Sequence, residues 1–130
     1  VGGGCVGVWD GVGCECVQDE YGLENYRITS ISLGDNGLDG SLPNKFFPFL
    51  EDLLYVNFSA NSLGGTVPFS GIPNLSDMDV LDLSDNSLTG SIPDSCCSIP
   101  TLLLNDNHFS CPLPSCCKEG GGDQDCGPCR

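Results

Sequence analysis

Apolar side chains recur through the middle of the chain in a pattern that is neither helical nor simply alternating. Four segments fall into register: Ile28 to Pro43, Leu53 to Pro68, Met78 to Pro93 and Ile99 to Pro114. Their starts lie 25, 25 and 21 residues apart. Apolar residues occupy positions 1, 4, 6, 11 and 15 of every segment, the eleventh of the last being Phe109. Position 9 is always asparagine (Asn36, Asn61, Asn86, Asn107), and a proline closes each segment. An amphipathic helix would repeat every 3.6 residues, so these are not helices.

Each position has a physical reading. Alternation across positions 4 to 6, as in Ile31-Ser32-Leu33 and Leu81-Asp82-Leu83, predicts a short strand with one buried face. Strands are therefore expected near 31–33, 56–58, 81–83 and 102–104. The asparagine that follows suits a tight inward turn whose backbone groups its amide satisfies. Glycine at Gly40, Gly65 and Gly90 permits a bend that a side chain would obstruct. Proline then fixes φ on a return leg where no sheet needs its N–H. One such coil cannot bury its leucines, but several stacked about 5 Å apart share a continuous core. The prediction is an α/β-type repeat solenoid of about four coils with one parallel sheet, little helix and disulfide-rich caps. Its core should contain Ile31, Leu33, Leu38, Val56, Phe58, Leu63, Leu81, Leu83, Leu88, Leu102 and Leu104.

Cysteine placement divides the chain into a cap over residues 1–27, coils over 28–114, and a cysteine-rich cap or tail over 115–130. Ten cysteines in 130 residues favour an oxidising compartment and disulfides over zinc, whose ligand pairs here would lie at opposite ends. Cys96 and Cys117 each lie three residues after a closing proline, in the same column of adjacent coils. That spacing falls within the reach of a disulfide, so Cys96–Cys117 is predicted, with Cys97, Cys111 and Cys116 as competing partners. Three cysteines precede the coils and seven lie from Cys96 onward. A bridge across several coils exceeds the ~7 Å limit on Cα separation, so one thiol should be left over at each end. Cys16 and either Cys126 or Cys129 are the candidates, left unpaired or bridging the tail of one copy to the cap of the next. Cys126-Gly127-Pro128-Cys129 also matches a dithiol redox motif, but such chemistry needs a helix N-terminus in an α/β fold, so a staple or a loose tail is expected.

Charge narrows the function. Eighteen acids against four bases give −14 at pH 7, which excludes a nucleic-acid binder and disfavours an anionic lipid surface. No apolar run approaches the ~20 residues of a membrane span, and a start at Val1 suits a processed secreted chain. No set of titratable residues converges as an active site would require, so no enzyme, cofactor or metal is expected. Asp35, Asp85 and Asp106 share position 8 and could form a cation-binding edge, although a solvated edge is the simpler reading. The outward strand positions supply the binding-face candidates Ser32, Tyr55, Asn57, Val80, Asp82, Leu103 and Asn105. Only Tyr55, Val80 and Leu103 could serve as apolar anchors there. Two N-glycosylation sequons begin at Asn57, on that face, and Asn74, on a return leg.

These columns resemble the plant-type leucine-rich repeat, LxxLxLxxNxLxGxIP, with Gly90-Ser91-Ile92-Pro93 as the subclass hallmark. Upstream, Cys5, Trp9, Gly11, Val12 and Cys14 look like the end of that family's N-terminal cap, which implies a Cys5–Cys14 bridge. Relatives of this type include plant receptor-kinase ectodomains, polygalacturonase-inhibiting proteins and protist surface antigens. The resemblance implies a right-handed solenoid and an extracellular module, secreted or at the cell surface, that binds proteins or glycans. The alternative is a structural subunit that stacks head to tail with copies of itself in a fibre or matrix, because solenoid ends expose sheet edges unless capped.

Overall fold

The computed structural model describes residues 10–74, 77–117 and 122–130. Two strands open the chain, β1 (Val12–Gln18) and β2 (Glu24–Ser32), paired antiparallel as a hairpin. Asp19 builds its turn: its Oδ1 accepts from the N–H groups of Tyr21 and Leu23, and Gly22 takes φ +78°. The coils follow, each contributing one short strand to each of two ladders. The first ladder continues from β2 through β4 (Tyr55–Asn57), β6 (Val80–Asp82), β8 (Thr101–Leu103) and β10 (Gln124–Asp125), all parallel. The second runs β3 (Asp39–Gly40), β5 (Ser62–Thr66), β7 (Ser87–Gly90), β9 (His108–Phe109). Return legs carry little helix: four residues of α1 (Phe46–Phe49) and two 3-10 turns, Phe69–Asn74 and Asp94–Ser98.

The strands sit one residue earlier than alternation predicts, at positions 3 to 5 rather than 4 to 6. The asparagine ladder gives the reason. At position 6 the N–H still reaches the next coil, as Phe58 does to the carbonyl of Asp82, but the carbonyl turns away to asparagine amides. Asn86 Nδ2 donates to the carbonyls of Phe58, Leu83 and Ser84, while its Oδ1 accepts from the N–H of Leu63. Asn61 and Asn107 repeat this bridge one coil to either side. Each amide therefore satisfies backbone groups of two coils, which water cannot reach at Asn86.

The core runs along the stack, with Val56, Leu81, Leu83, Leu88, Leu102 and Leu104 wholly enclosed. Leu33 and Leu38, expected inside, are only half-buried: they belong to the first coil, whose outer neighbour is a hairpin strand rather than another leucine-bearing coil. Position 8 takes a left-handed backbone in every coil, with φ of 53°, 56°, 54° and 58° at Asp35, Ala60, Asp85 and Asp106. Aspartate tolerates that region better than most residues, so the acids in this column have a conformational cause.

The C-terminal segment is neither loose nor a simple tail. It forms a short fifth turn of the solenoid: β10 adds to the first ladder, and Arg130 exchanges backbone bonds with Phe109 and Cys111 beside β9. Gln124 stands where the coils carry leucine, and its Nε2 donates to the carbonyls of Cys97 and Ile99, both at 3.0 Å. Cys126 takes the next inward position, 2% exposed.

This segment overturns the predicted cysteine map. Cys97 bonds Cys116, Cys111 bonds Cys129, and Cys117 bonds Cys126. The Cys96–Cys117 pairing fails because matching columns does not match side-chain directions. Successive residues of a 3-10 turn point about 120° apart. Cys96 therefore faces the core, wholly buried and unpaired, while Cys97 faces outward to Cys116. Cys126 and Cys129 are not spare thiols either: each is bonded to another cysteine of the same chain, so neither is left over for a bridge to a neighbouring cap, and the two do not pair with each other. Cys14 is disulfide-bonded; Cys5 and Trp9 lie outside the described residues. Cys16 is an exposed free thiol.

Candidate functional site

Register across the first ladder brings the predicted binding residues onto one face. Ser32, Asn57, Asp82 and Leu103 are direct neighbours in one row, extended by Asp125. Ser30, Tyr55, Val80 and Thr101 form the adjacent row. Neighbouring strands in such a sheet lie about 4.8 Å apart, so a partner crossing them meets one side chain per coil. Ser32 and Tyr55 are exposed, the latter at 37%, and Asn57, Val80, Asp82, Leu103 and Asn105 are half-buried.

Local turns hold much of this face rigid. Asn57 Oδ1 accepts from Ser59 N–H at 2.9 Å and Ser59 Oγ at 2.7 Å. Asp82 Oδ1 does the same with Ser84, at 3.1 and 2.6 Å. Asp125 repeats the motif with the N–H of Gly127 at 2.9 Å. Asn105 Nδ2 donates instead to Asp106 Oδ2 at 2.9 Å. The row is thus a preorganised line of acceptors with modest apolar content, able to meet hydrogen-bond donors and cations. Among the described residues no group of three His, Cys, Asp or Glu side chains is placed to hold a metal ion.

The sequon at Asn57 lies in the centre of this face; Ser59 donates to its side-chain oxygen, while the nitrogen that a glycan would occupy donates to Tyr55 Oη at 3.5 Å. Asn74 ends a 3-10 turn, and the rest of its sequon, Leu75 and Ser76, lies outside the described residues.

The chain exposes more apolar surface elsewhere, which the repeat pattern did not reveal. Tyr21, Leu23, Tyr26 and Phe49 are 81%, 65%, 45% and 78% exposed, and all belong to the hairpin or the first return leg. Tyr26 stands opposite Cys16 across the hairpin. Its phenol is pushed above the usual 10.0, first by charge on Cys16, then by burial and by Glu24. Nearby, Arg27 Nη1 meets Asp52 Oδ1 at 3.3 Å, joining the hairpin to the first return leg. The signal for this region was legible: Asp19-Glu20-Tyr21-Gly22 is turn vocabulary between two alternating runs.

Comparison with known proteins agrees with this architecture. A family model described as Leucine Rich Repeat matches residues 78–99. No curated protein matches the sequence. The ectodomain of the Arabidopsis thaliana receptor kinase SOBIR1 superposes with a TM-score of 0.72 at 28% identity, covering 82% of this chain and 59% of that one. A chain of the BIR3–SERK2 complex, also from Arabidopsis thaliana, gives 0.69 at 30% identity, covering 89% and 58%. The Arabidopsis receptor kinase HAESA, solved with the peptide hormone IDA and the co-receptor SERK1, gives 0.52 at 35% identity over 58% of this chain and 13% of that one. The chain therefore spans less than two thirds of each of these three proteins. With its Gly90-Ser91-Ile92-Pro93 element inside the matched repeat, the chain belongs to the leucine-rich repeat family, in its plant extracellular type.

Proposed function

We propose that the protein is a non-enzymatic extracellular module that binds a protein or glycan partner across the exposed rows of its parallel sheet. The observation that carries this reading is the register itself, which sets Tyr55, Val80 and Leu103 among the fixed acceptors Asn57 and Asp82 on one rigid face. Rigid presentation lowers the entropy lost on binding. Three described disulfides suit an oxidising environment, and no helix among the described residues is long and apolar enough to cross a membrane. Related proteins solved as complexes, HAESA with a peptide hormone and a co-receptor and BIR3 with SERK2, support the same role. The alternative of a head-to-tail fibre subunit is weakened by the C-terminal edge of the first ladder, where the last strand, β10, is only two residues long.

A glycan on Asn57 and a partner on this face would exclude one another, so the reading takes Asn57 as unmodified in the binding form and leaves Asn74 as the acceptor. A displayed library of random peptides, selected on the immobilised protein, tests the reading. Ligands should lose at least tenfold in affinity to Tyr55→Ala or Asp82→Lys, at surface positions whose replacement leaves the core intact. Selected ligands indifferent to both substitutions would overturn it.

A further inference from the structure

Three cavities on the N-terminal side of the molecule share walls. The first, about 400 Å³, is walled by Pro43, Phe46, Phe49 and Leu50 and is almost wholly apolar. It shares Phe49 and Leu50 with a second of about 240 Å³, which Tyr26 and Ile28 close from the hairpin side. That one shares Arg27, Glu51 and Asp52 with a third of about 280 Å³, where Glu15 and Asp77 add two more carboxylates. Side by side they form a grooved surface, apolar beside Phe49 and acidic beside Asp77, with the Arg27–Asp52 ion pair in the wall shared by the second and third. Four carboxylates face one guanidinium at the acidic end, and that guanidinium is already engaged.

We propose that this groove docks a segment of a partner protein carrying an apolar side chain followed, a few residues on, by lysine or arginine. The apolar side chain would occupy the space beside Phe49, which is 78% exposed although it flanks a cavity of side-chain size. The cation would enter among Glu15, Glu51, Asp52 and Asp77. Charge decides between occupants: a second copy would bring another −14 to a groove whose deep end is acidic. Charge also sets the polarity, because Lys45 lies 6.0 Å from the Phe49 ring and repels a cation from the apolar end. The site lies off the binding rows of the sheet, so it stands whether or not that face takes a ligand.

The test uses the full chain and a blocked hexapeptide, acetyl-Leu-Leu-Gly-Ser-Lys-Lys-amide, followed by backbone amide chemical shifts. Saturable perturbation should centre on residues 26–28 and 49–52. Replacing the lysines with glutamates, or the leucines with serines, should weaken binding at least tenfold. So should Phe49→Ser or Glu51→Lys in the protein, both exposed positions that leave the core intact. No saturable perturbation, or perturbation confined to Tyr55, Val80 and Asp82, would overturn the proposal. Equal binding of the glutamate peptide, or concentration-dependent shifts at the same amides without peptide, would also overturn it, the latter by making a second copy the occupant.

Discussion

The two ends of the solenoid solve the same problem by different chemistry. At the C-terminal end, the last coil is covered by a short fifth turn held by two disulfides, Cys111–Cys129 and Cys117–Cys126, and by Gln124, whose amide caps two carbonyls. At the N-terminal end, among the described residues, β1 covers β2 by antiparallel pairing, Cys14 is disulfide-bonded, and an exposed ion pair ties the hairpin to the first return leg. The first closes the core, with Cys126 2% exposed. The second leaves Phe49 and Tyr26 in solvent and a cavity beside them. One end is cross-linked over the core, and the other keeps an apolar surface in solvent.

If the C-terminal end depends on covalent closure, removing a buried bridge should have the largest effect. Replacing Cys117 and Cys126 together by alanine should cost about 2–5 kcal/mol in urea unfolding, because it frees the loop between them and empties an inward position. Next comes Gln124→Ala, which leaves the carbonyls of Cys97 and Ile99 without their donor and should cost about 1–3 kcal/mol. The buried thiol of Cys96 sharpens the comparison through pH. Burial pushes it from 9.0 up to about 12, so above pH 9 the unfolded chain releases a proton that the folded chain keeps. Its contribution is therefore intact below pH 9 and is lost progressively toward pH 12, and Cys96→Ala should flatten that part of the stability profile. The smallest effect is expected at the other end. Arg27→Ala removes an ion pair whose side chains are 52% and 37% exposed, and should change stability by no more than about 1 kcal/mol.

What the sequence disclosed followed its periodicity. Positions 4, 6 and 11 placed Val56, Leu81, Leu88 and Leu102 in the core because identical coils impose identical environments. The outward row Asn57, Asp82, Leu103 followed from the same alternation. The caps escaped because they do not repeat. Gln124 and Cys126 occupy inward leucine positions with an amide and a half-cystine, so no hydrophobic pattern marks them as a coil. The disulfide map failed for a related reason: Cα columns are periodic, but side-chain directions in the 3-10 turn at Asp94–Ser98 are not. The groove beside Phe49 was hidden because it joins the hairpin to a return leg, through residues far apart in sequence such as Tyr26 and Phe49.

The central claim, a folded unit whose C-terminal cysteines are bridged within the chain, is tested most directly by counting accessible thiols and measuring mass on the same folded, deglycosylated and unreduced 130-residue chain. The account predicts a 13.6 kDa monomer that takes one alkylating group at Cys16 while folded and a second at Cys96 only after denaturation without reductant. A disulfide-linked ladder that collapses on reduction, or a folded monomer that labels at Cys126 or Cys129, would contradict it.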